Sequence, residues 1–198
     1  MRDITKQCRN MNTQLMNLQR KVNQYKEVLQ NTERYREVWK KEFKDYIIQT
    51  LQKISEAVDL HAKVEVKSQI EGLEAVVLDL GETKSGIYEV VSEDFYRHLV
   101  KNSGALVYQQ LFNGKIIVLI QYPFIEEYGE PRPPKTVGIY RPEELTDPFF
   151  IRHVEELIAE ITNWEDFDDD EPNKRIGFQF NFGLNKPQTE GSPKMTDE

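Results

Sequence analysis

The side chains of this chain best suited to catalysis or metal binding are three histidines and one cysteine. His61, His98 and His153 lie far apart in sequence. His98 follows Asp94 by four residues, which is the spacing of a charge pair on a helix surface. Cys8 is the only cysteine, so no disulfide framework and no paired-cysteine metal or redox site can form within one chain. The sequence favours structural or solvated roles for the histidines over metal binding or catalysis.

The acidic run "DFDDDE", residues 166–171, has the carboxylate content of a calcium loop. Counted from Asp166, position six needs glycine but holds Glu171, and position twelve needs glutamate but holds Gly177. The run fails as an EF-hand, so we expect a solvated linker, with weak cation binding as the alternative. Phosphate-binding loops, the HExxH zinc helix and the GxSxG elbow are missing from the sequence. We therefore predict no enzyme activity, no cofactor and no metal.

A proline-rich run beside several aromatic residues is the first candidate for a partner surface. "PRPP", residues 131–134, has PxxP spacing and favours an extended polyproline conformation. A rigid surface loop is the simpler interpretation, and a ligand for an adaptor domain is the alternative. The predicted partner surface comprises Tyr122, Phe124, Tyr128, Pro131, Pro134 and Tyr140.

The charge of the chain is distributed unevenly. The 198 residues carry a net charge of −8. Residues 1–53 hold 12 Lys and Arg against 6 Asp and Glu, whereas the remainder holds 14 against 28. A basic arm can touch nucleic acid, but this arm lacks the interleaved aromatic residues of single-strand binders, and the body is acidic. A nucleic-acid partner is therefore not favoured, and a solvated helix face is the simpler interpretation.

The N-terminus and the longest apolar run bear on location. The sequence begins "MRDITKQCRNMNTQL", which lacks the apolar stretch of a secretory signal. The run "KIIVLIQYPFI" is far shorter than a membrane span. We therefore predict no signal peptide, no membrane partner, and a place in the cytoplasm or within an assembled particle.

The first sixty residues have the pattern of one long helix that pairs with other helices. No glycine precedes Gly72 and no proline precedes Pro123. Apolar residues recur in alternating steps of four and three, which is the seam of a coiled coil. Such a helix cannot bury its seam alone, so we predict a homo-oligomer. The predicted oligomerisation residues are Ile4, Cys8, Met11, Leu15, Leu18, Val22, Tyr25 and Leu29.

Beyond Leu29 the apolar spacing changes. Trp39, Phe43, Ile47 and Leu51 follow at steps of four, and neighbouring apolar residues widen the face. This change of register loosens a supercoil. We therefore expect this half of the helix to pack against the domain that follows.

From Ala62 onward the apolar period becomes that of strands. Tight turns between consecutive strands predict an α+β head with a mostly antiparallel sheet and two packed helices. Asn113-Gly114 predicts a type I′ hairpin turn between two of the strands. The predicted elements are strands at 62–68, 73–80, 86–91 and 135–140, the hairpin at 105–125, and helices at 92–104 and from about Thr146 or Asp147 to Trp164.

The run "RIGFQFNFG" near the end of the sequence predicts a last strand. Its alternating apolar residues, Ile176, Phe178, Phe180 and Phe182, would dock on a sheet. Its own head is the simpler host, and the edge of a neighbouring subunit is the alternative. The predicted organisation is a helical stem at 1–60, the head at 61–164, an acidic linker at 165–175, a strand at 176–183 and a flexible tail at 184–198.

Together these features predict a structural or interaction protein without enzyme activity. Its coiled-coil stem would set the copy number, and its head would contact other protein components of a larger assembly, such as a virion or a secretion machine. The alternative is a sensory or ligand-binding domain with a signalling stem, because the predicted element order resembles that of GAF and PAS domains. An enzyme of an unrecognised type is the third hypothesis.

Overall fold

The structure, a computed structural model, describes residues 2–70, 73–92 and 95–166, with side chains from residue 14 onward except those of residues 69, 70, 91, 92 and 95. Within this part of the chain, a long helix is followed by eight strands and a further helix, so the predicted α+β class is confirmed. The predicted strand at 176–183 and its flanking segments lie outside the described residues. The helices are α1 (Arg2–Val38), α2 (Lys44–Ala57) and α3 (Asp147–Glu165). The strands are β1 (Lys63–Ile70), β2 (Leu73–Asp79), β3 (Glu82–Ser92), β4 (Phe95–Asn102), β5 (Ala105–Gln110), β6 (Ile116–Gln121), β7 (Phe124–Ile125) and β8 (Lys135–Tyr140).

The helices α1 and α2 form one long helix, as predicted, but a π-helical segment at Trp39–Phe43 joins them. In a regular α-helix, apolar residues at steps of four rotate about 40° around the axis with each step. The residues from Trp39 to Leu51 would therefore drift off one face. The wider π turn reduces this drift, and Trp39, Phe43, Ile47 and Leu51 are all buried.

Five of the strands form an antiparallel sheet in the order β1-β2-β5-β6-β8. One face of this sheet packs against the end of α1, the π segment, α2 and α3. Apolar side chains from the two layers fill the space between them. The fully buried members include Trp39, Ile47, Leu51, Tyr108, Phe150 and Leu157.

The strands β3 and β4 form a hairpin that continues β2 and β5 beyond the sheet. The ladder passes through two backbone hydrogen bonds, from Leu80 N to Gly104 O (3.1 Å) and from Ser103 N to Gly81 O (2.9 Å). Gly81 and Gly104 have positive φ angles of 80° and 92°. We call the β3–β4 hairpin the arm. Among the described strands, the short strand β7 alone joins it, at the base.

The predicted helix at 92–104 is wrong, because this segment contains β4. His98 therefore lies on a strand rather than on the predicted helix, and Asp94, its predicted partner, lies outside the described residues. The sequence "FYRHLV" combines aromatic and branched residues with an alternating pattern, which fits a strand. Pairing with β3, in which Tyr88 opposes His98 and Val90 opposes Tyr96, decides between the two structures.

The predicted β5–β6 hairpin is confirmed, but its predicted type I′ turn is wrong. Gly114 has a φ of +74°, whereas Asn113 is not among the positive-φ residues. Gly114 N donates to Leu111 O (2.8 Å), and Leu111 N donates to Lys115 O (2.7 Å). This is a three-residue loop with glycine in the left-handed position, which is the next commonest hairpin connection.

Candidate interaction surfaces

The N-terminal part of α1 presents a row of apolar side chains to solvent. All described side chains from Gln14 to Gln30 are exposed, and we call this segment the exposed half of the long helix. The exposed fractions of Leu18 and Tyr25 are 57% and 63%. Ile4, Cys8 and Met11 continue the row in sequence on the α1 backbone, but their side chains lie outside the described ones. The predicted oligomerisation residues among the described side chains are all exposed: Leu15, Leu18, Val22, Tyr25 and Leu29.

From Tyr35 to Ala57 the long helix packs against the head, and we call this segment the buried half. Tyr35 and Trp39 are buried where this half begins. The Trp39 indole N–H donates to Glu74 Oε2 (3.0 Å), and Lys44 Nζ donates to the same oxygen (3.1 Å). These two hydrogen bonds lower the pKa of Glu74 below its ordinary value. Glu74 on β2 therefore fixes both ends of the π segment to the sheet.

The tip of the β5–β6 hairpin touches the long helix at the boundary between its two halves. A Cβ atom added to Gly114 would lie 2.7 Å from Tyr35 Cβ and 2.9 Å from Thr32 O. Only glycine permits this close approach. The Arg36 guanidinium donates to the carbonyl of Phe112 in the same tip. The boundary between the two halves of the long helix therefore lies where its contact with the β5–β6 hairpin ends.

The predicted partner surface is divided between separate places. Tyr122 is buried, whereas Pro131 and Pro134 are exposed. Tyr140 lies at the opposite end of β8 from Lys135, opposite Ile116. Phe124 and Tyr128 are half-buried. Whether any of these residues contacts a partner stays a prediction.

An ionic cluster holds the chain around Tyr122 to α3. Lys135 Nζ lies 2.9 Å from Glu156 and 2.6 Å from Glu160, and these two carboxylates raise the lysine pKa. The Tyr122 hydroxyl donates to Glu160 (3.0 Å), and the Arg132 guanidinium lies 4.0 Å from the Tyr122 ring centroid. The charges of this cluster neutralise one another, which favours a structural role.

His153 lies inside the layer between the sheet and the helices. Its Nδ1 is 3.0 Å from the Tyr108 hydroxyl and its Nε2 is 3.3 Å from the Tyr140 hydroxyl. Its side chain is 1% exposed. Burial lowers the pKa of His153 to about 4, so the imidazole is neutral at pH 7. This arrangement matches the predicted structural role; His61 and His98 are both exposed and lie elsewhere.

The arm carries an exposed aromatic face that sequence reasoning missed. Tyr88, Val90, Tyr96 and His98 lie on one face because they oppose one another across the two strands. The rings of Tyr88 and Tyr96 meet edge to face, with centroids 5.3 Å apart. Tyr88, Val90 and Tyr96 are all more than half exposed. Their alternation was visible in the sequence, but the predicted helix at 92–104 concealed it.

A groove of about 420 Å³ lies between the end of α2 and the start of β1. Its lining includes Gln52, Glu56, Asp59 and Lys63. It is open to solvent and lies at the edge of the packed layer, since Leu60, Ala62 and Val64 line it and also pack against the core. No group of three His, Cys, Asp or Glu among the described residues could hold a metal ion.

Within the same residues, each helix is too short or too polar to cross a membrane.

Comparison of the chain with family models, with curated proteins and with solved structures finds no match. The interaction surfaces must therefore be judged on their own geometry.

Proposed function

We propose that this protein is a non-enzymatic interaction protein that self-associates through the exposed half of its long helix. Its head would then contact other protein components of a larger assembly. The observation that carries this proposal is the contrast along one helix: the apolar row is buried from Tyr35 onward and exposed before Gln30. The head covers the row that begins at Tyr35. A helix from another copy would cover the exposed row before Gln30.

The spacing of the exposed row favours helices as the covering partner. Its steps of four and three place Leu15, Leu18, Val22 and Tyr25 along one narrow stripe. A narrow stripe suits knobs-into-holes packing with another helix, whereas a broad apolar face suits a domain core. A second copy of this chain supplies a matching stripe of equal length.

The exposed aromatic face of the arm supports the second part of the proposal. Tyrosine is enriched in protein interfaces because its ring is apolar and its hydroxyl can bind a polar group. The arm presents Tyr88 and Tyr96 away from the sheet, where a partner can reach both. We propose this face, rather than the divided Tyr122–Tyr140 set, as the contact for another protein.

Light-scattering mass measured on the full chain tests self-association. We expect more than one copy, and we expect Leu18→Glu to shift the protein towards a monomer because it places charge in the seam. Met16→Glu is the matched control, since Met16 is also exposed but lies two residues before Leu18, outside the row. A monomeric full chain, or equal effects of the two substitutions, would contradict the proposal.

The structure lacks the element order that suggested the sensory alternative. The likeness to GAF and PAS domains rested on an element order that included a helix at 92–104, where the structure has β4. A ligand-binding role stays an untested hypothesis, and we do not propose it in place of self-association.

A further inference from the structure

The apolar row of the exposed half stops where the β5–β6 hairpin reaches the long helix. One heptad beyond Tyr25 and Leu29, the next two positions of the row are Thr32 and Arg36. Both positions already contact the head, because a Cβ atom added to Gly114 would lie 2.9 Å from Thr32 O and 3.1 Å from Arg36 N. The Arg36 guanidinium also donates to a backbone carbonyl in the tip of this hairpin. The chain's own hairpin therefore occupies the side of the helix along which the row would continue.

The position of this hairpin limits how a second copy can lie on the row. In a parallel pair in register, each level of one helix meets the same level of the other. Two hairpin tips would then meet at the level of Thr32, where each occupies the side of its helix that faces the partner. In an antiparallel pair the two tips lie at opposite ends of the contact, and the row before Gln30 stays open to the partner helix. The hairpin contact therefore favours the antiparallel arrangement.

The charges beside the row favour the same arrangement. Lys21 immediately precedes the row residue Val22 and Lys26 immediately follows Tyr25, so the two lysines flank the row on opposite sides. Both are exposed, and residues 14–26 include no Asp or Glu that could neutralise them. A parallel pair would place Lys21 of each chain beside Lys26 of the other, because the flanking positions that meet in such a pair lie five residues apart. Like charges at these positions oppose association.

Resting on the proposed self-association, we infer that the exposed halves of two copies pair antiparallel, with Leu15 of one copy opposite Leu18 of the other. The row from Ile4 to Leu29 has steps of 4, 3, 4, 3, 4, 3 and 4, which read the same in both directions. Reversal about the midpoint between Leu15 and Leu18 therefore places a row position opposite a row position throughout. In this register Lys21 lies beside the partner's Gln14, so the like-charge pair is absent.

Single cysteines in the full chain test the orientation. In a Cys8→Ser background, Leu18→Cys and Tyr25→Cys are treated separately with a short bis-maleimide. In the inferred register, a cysteine at position 18 lies about 5 Å along the axis from its mate, and one at position 25 lies roughly 25 Å away, at 1.5 Å per residue. We expect a crosslinked pair of chains for Leu18→Cys and about a tenth as much or less for Tyr25→Cys, since the reagent cannot span the longer gap.

The outcomes separate this inference from the proposed self-association. Light-scattering mass is measured on both cysteine variants before the reagent is added. Crosslinking at position 18 that does not exceed crosslinking at position 25 would overturn the antiparallel register. In an oligomer, that result would leave self-association in place, because a parallel pair brings both positions to their mates. A monomeric full chain would contradict both proposals.

A charge reversal beside the row gives a second, independent measurement. Lys21→Glu would turn the like-charge pair of a parallel dimer into an attractive pair with Lys26, whereas in the inferred register it would meet Gln14. Arg20→Glu is the matched control, since Arg20 is exposed, undergoes the same change of charge and lies outside the flanking positions. We expect the two variants to change the dissociation constant of the pair by the same factor within about twofold, as measured by sedimentation. A larger difference in either direction would overturn the inference, and selective tightening by Lys21→Glu would indicate the parallel pair.

Discussion

The long helix is one continuous element whose two halves have opposite surroundings. In the exposed half, Leu18 and Tyr25 face solvent, whereas in the buried half Trp39 and Ile47 are fully enclosed. Both halves have a row of apolar residues, and the difference between them is in spacing. The narrow row at steps of four and three is exposed, and the wider row at steps of four packs against the sheet. Apolar spacing therefore distinguished the half that packs against the sheet from the half that stays exposed.

The consecutive strands β4 and β5 show the same contrast between an exposed part and a buried part. Tyr96 on β4 is 53% exposed, and Tyr108 on β5 is fully buried. Gly104, which has a positive φ of 92°, lies between them. The long helix and the arm thus both extend out of the head. The helix changes from buried to exposed where it meets Gly114, and the strands change at Gly104.

The largest expected effect comes from removing the centre of the buried half. Trp39→Ala leaves a cavity and removes the hydrogen bond to Glu74, so we expect a loss of about 3–5 kcal/mol in the free energy of unfolding. Met16→Ala is the control, because Met16 lies in the exposed half but outside its apolar row, and it should cost less than about 0.5 kcal/mol. Urea unfolding at one fixed protein concentration measures both. Similar losses would show that the two halves are equally packed and would break the comparison.

Gly114→Ala tests the boundary between the halves. The added methyl group would strain a residue with a φ of +74° and would clash with Thr32 and Tyr35. We expect a loss of about 3 kcal/mol, measured by urea unfolding.

Gly86→Ala is the matched control for this substitution. Gly86 also has a positive φ, 80°, but an added Cβ would meet nothing within 4 Å. Its cost should be the backbone strain alone, about 1 kcal/mol. The difference between the two variants measures the contact of the hairpin tip with the helix; equal costs would mean that the contact contributes nothing.

The buried layer should also depend on pH through His153. Its pKa of about 4 lies below the ordinary value of 6.5, so between these values the unfolded chain binds more protons than the folded one. Stability is therefore complete above pH 6.5 and falls as the pH falls towards 4, by about 2–3 kcal/mol. Urea unfolding at successive pH values measures this slope.

Replacement of His153 should flatten the pH dependence. We expect His153→Gln to remove most of the slope between pH 4 and 6.5, and His98→Gln on the arm to leave it unchanged. An unchanged slope in His153→Gln would show that other groups cause it.

Much of the fold could be predicted because it depends on local patterns. The long helix followed from the period of its apolar residues and its lack of glycine and proline, and β8 has the predicted limits, Lys135–Tyr140. The β4 segment was mistaken for a helix because Ser92, Lys101 and Gly104 suit helix ends, while its strand partners lie elsewhere in the chain. The type of the Gly114 turn was wrong for a similar reason, since its close contact with Tyr35 comes from tertiary packing.

The candidate surfaces were harder to predict than the fold. The narrow seam from Leu15 to Leu29 was predicted to pair with another helix; these residues are exposed, and their pairing stays a prediction. The aromatic residues from Tyr122 to Tyr140 were grouped by their proximity in sequence, but β8 separates them, and Glu160 on α3 holds Tyr122 inside the molecule. The arm face was missed because its members belong to two strands, and only their pairing brings Tyr88 and Tyr96 together.

The smallest expected effect is that of the arm on global stability. Tyr96→Ala removes an edge-to-face contact with Tyr88, but both rings are mostly exposed, so we expect a change below about 0.5 kcal/mol in the free energy of unfolding. Hydrogen exchange should nevertheless become faster at amides near Tyr88 and His98, because the lost pair supports only the arm. Tyr108→Ala, on the buried strand that follows Gly104, should instead cost several times more. If Tyr96→Ala destabilised the whole protein as strongly as Tyr108→Ala, the arm would be part of the core, and its aromatic face would not be free for a partner.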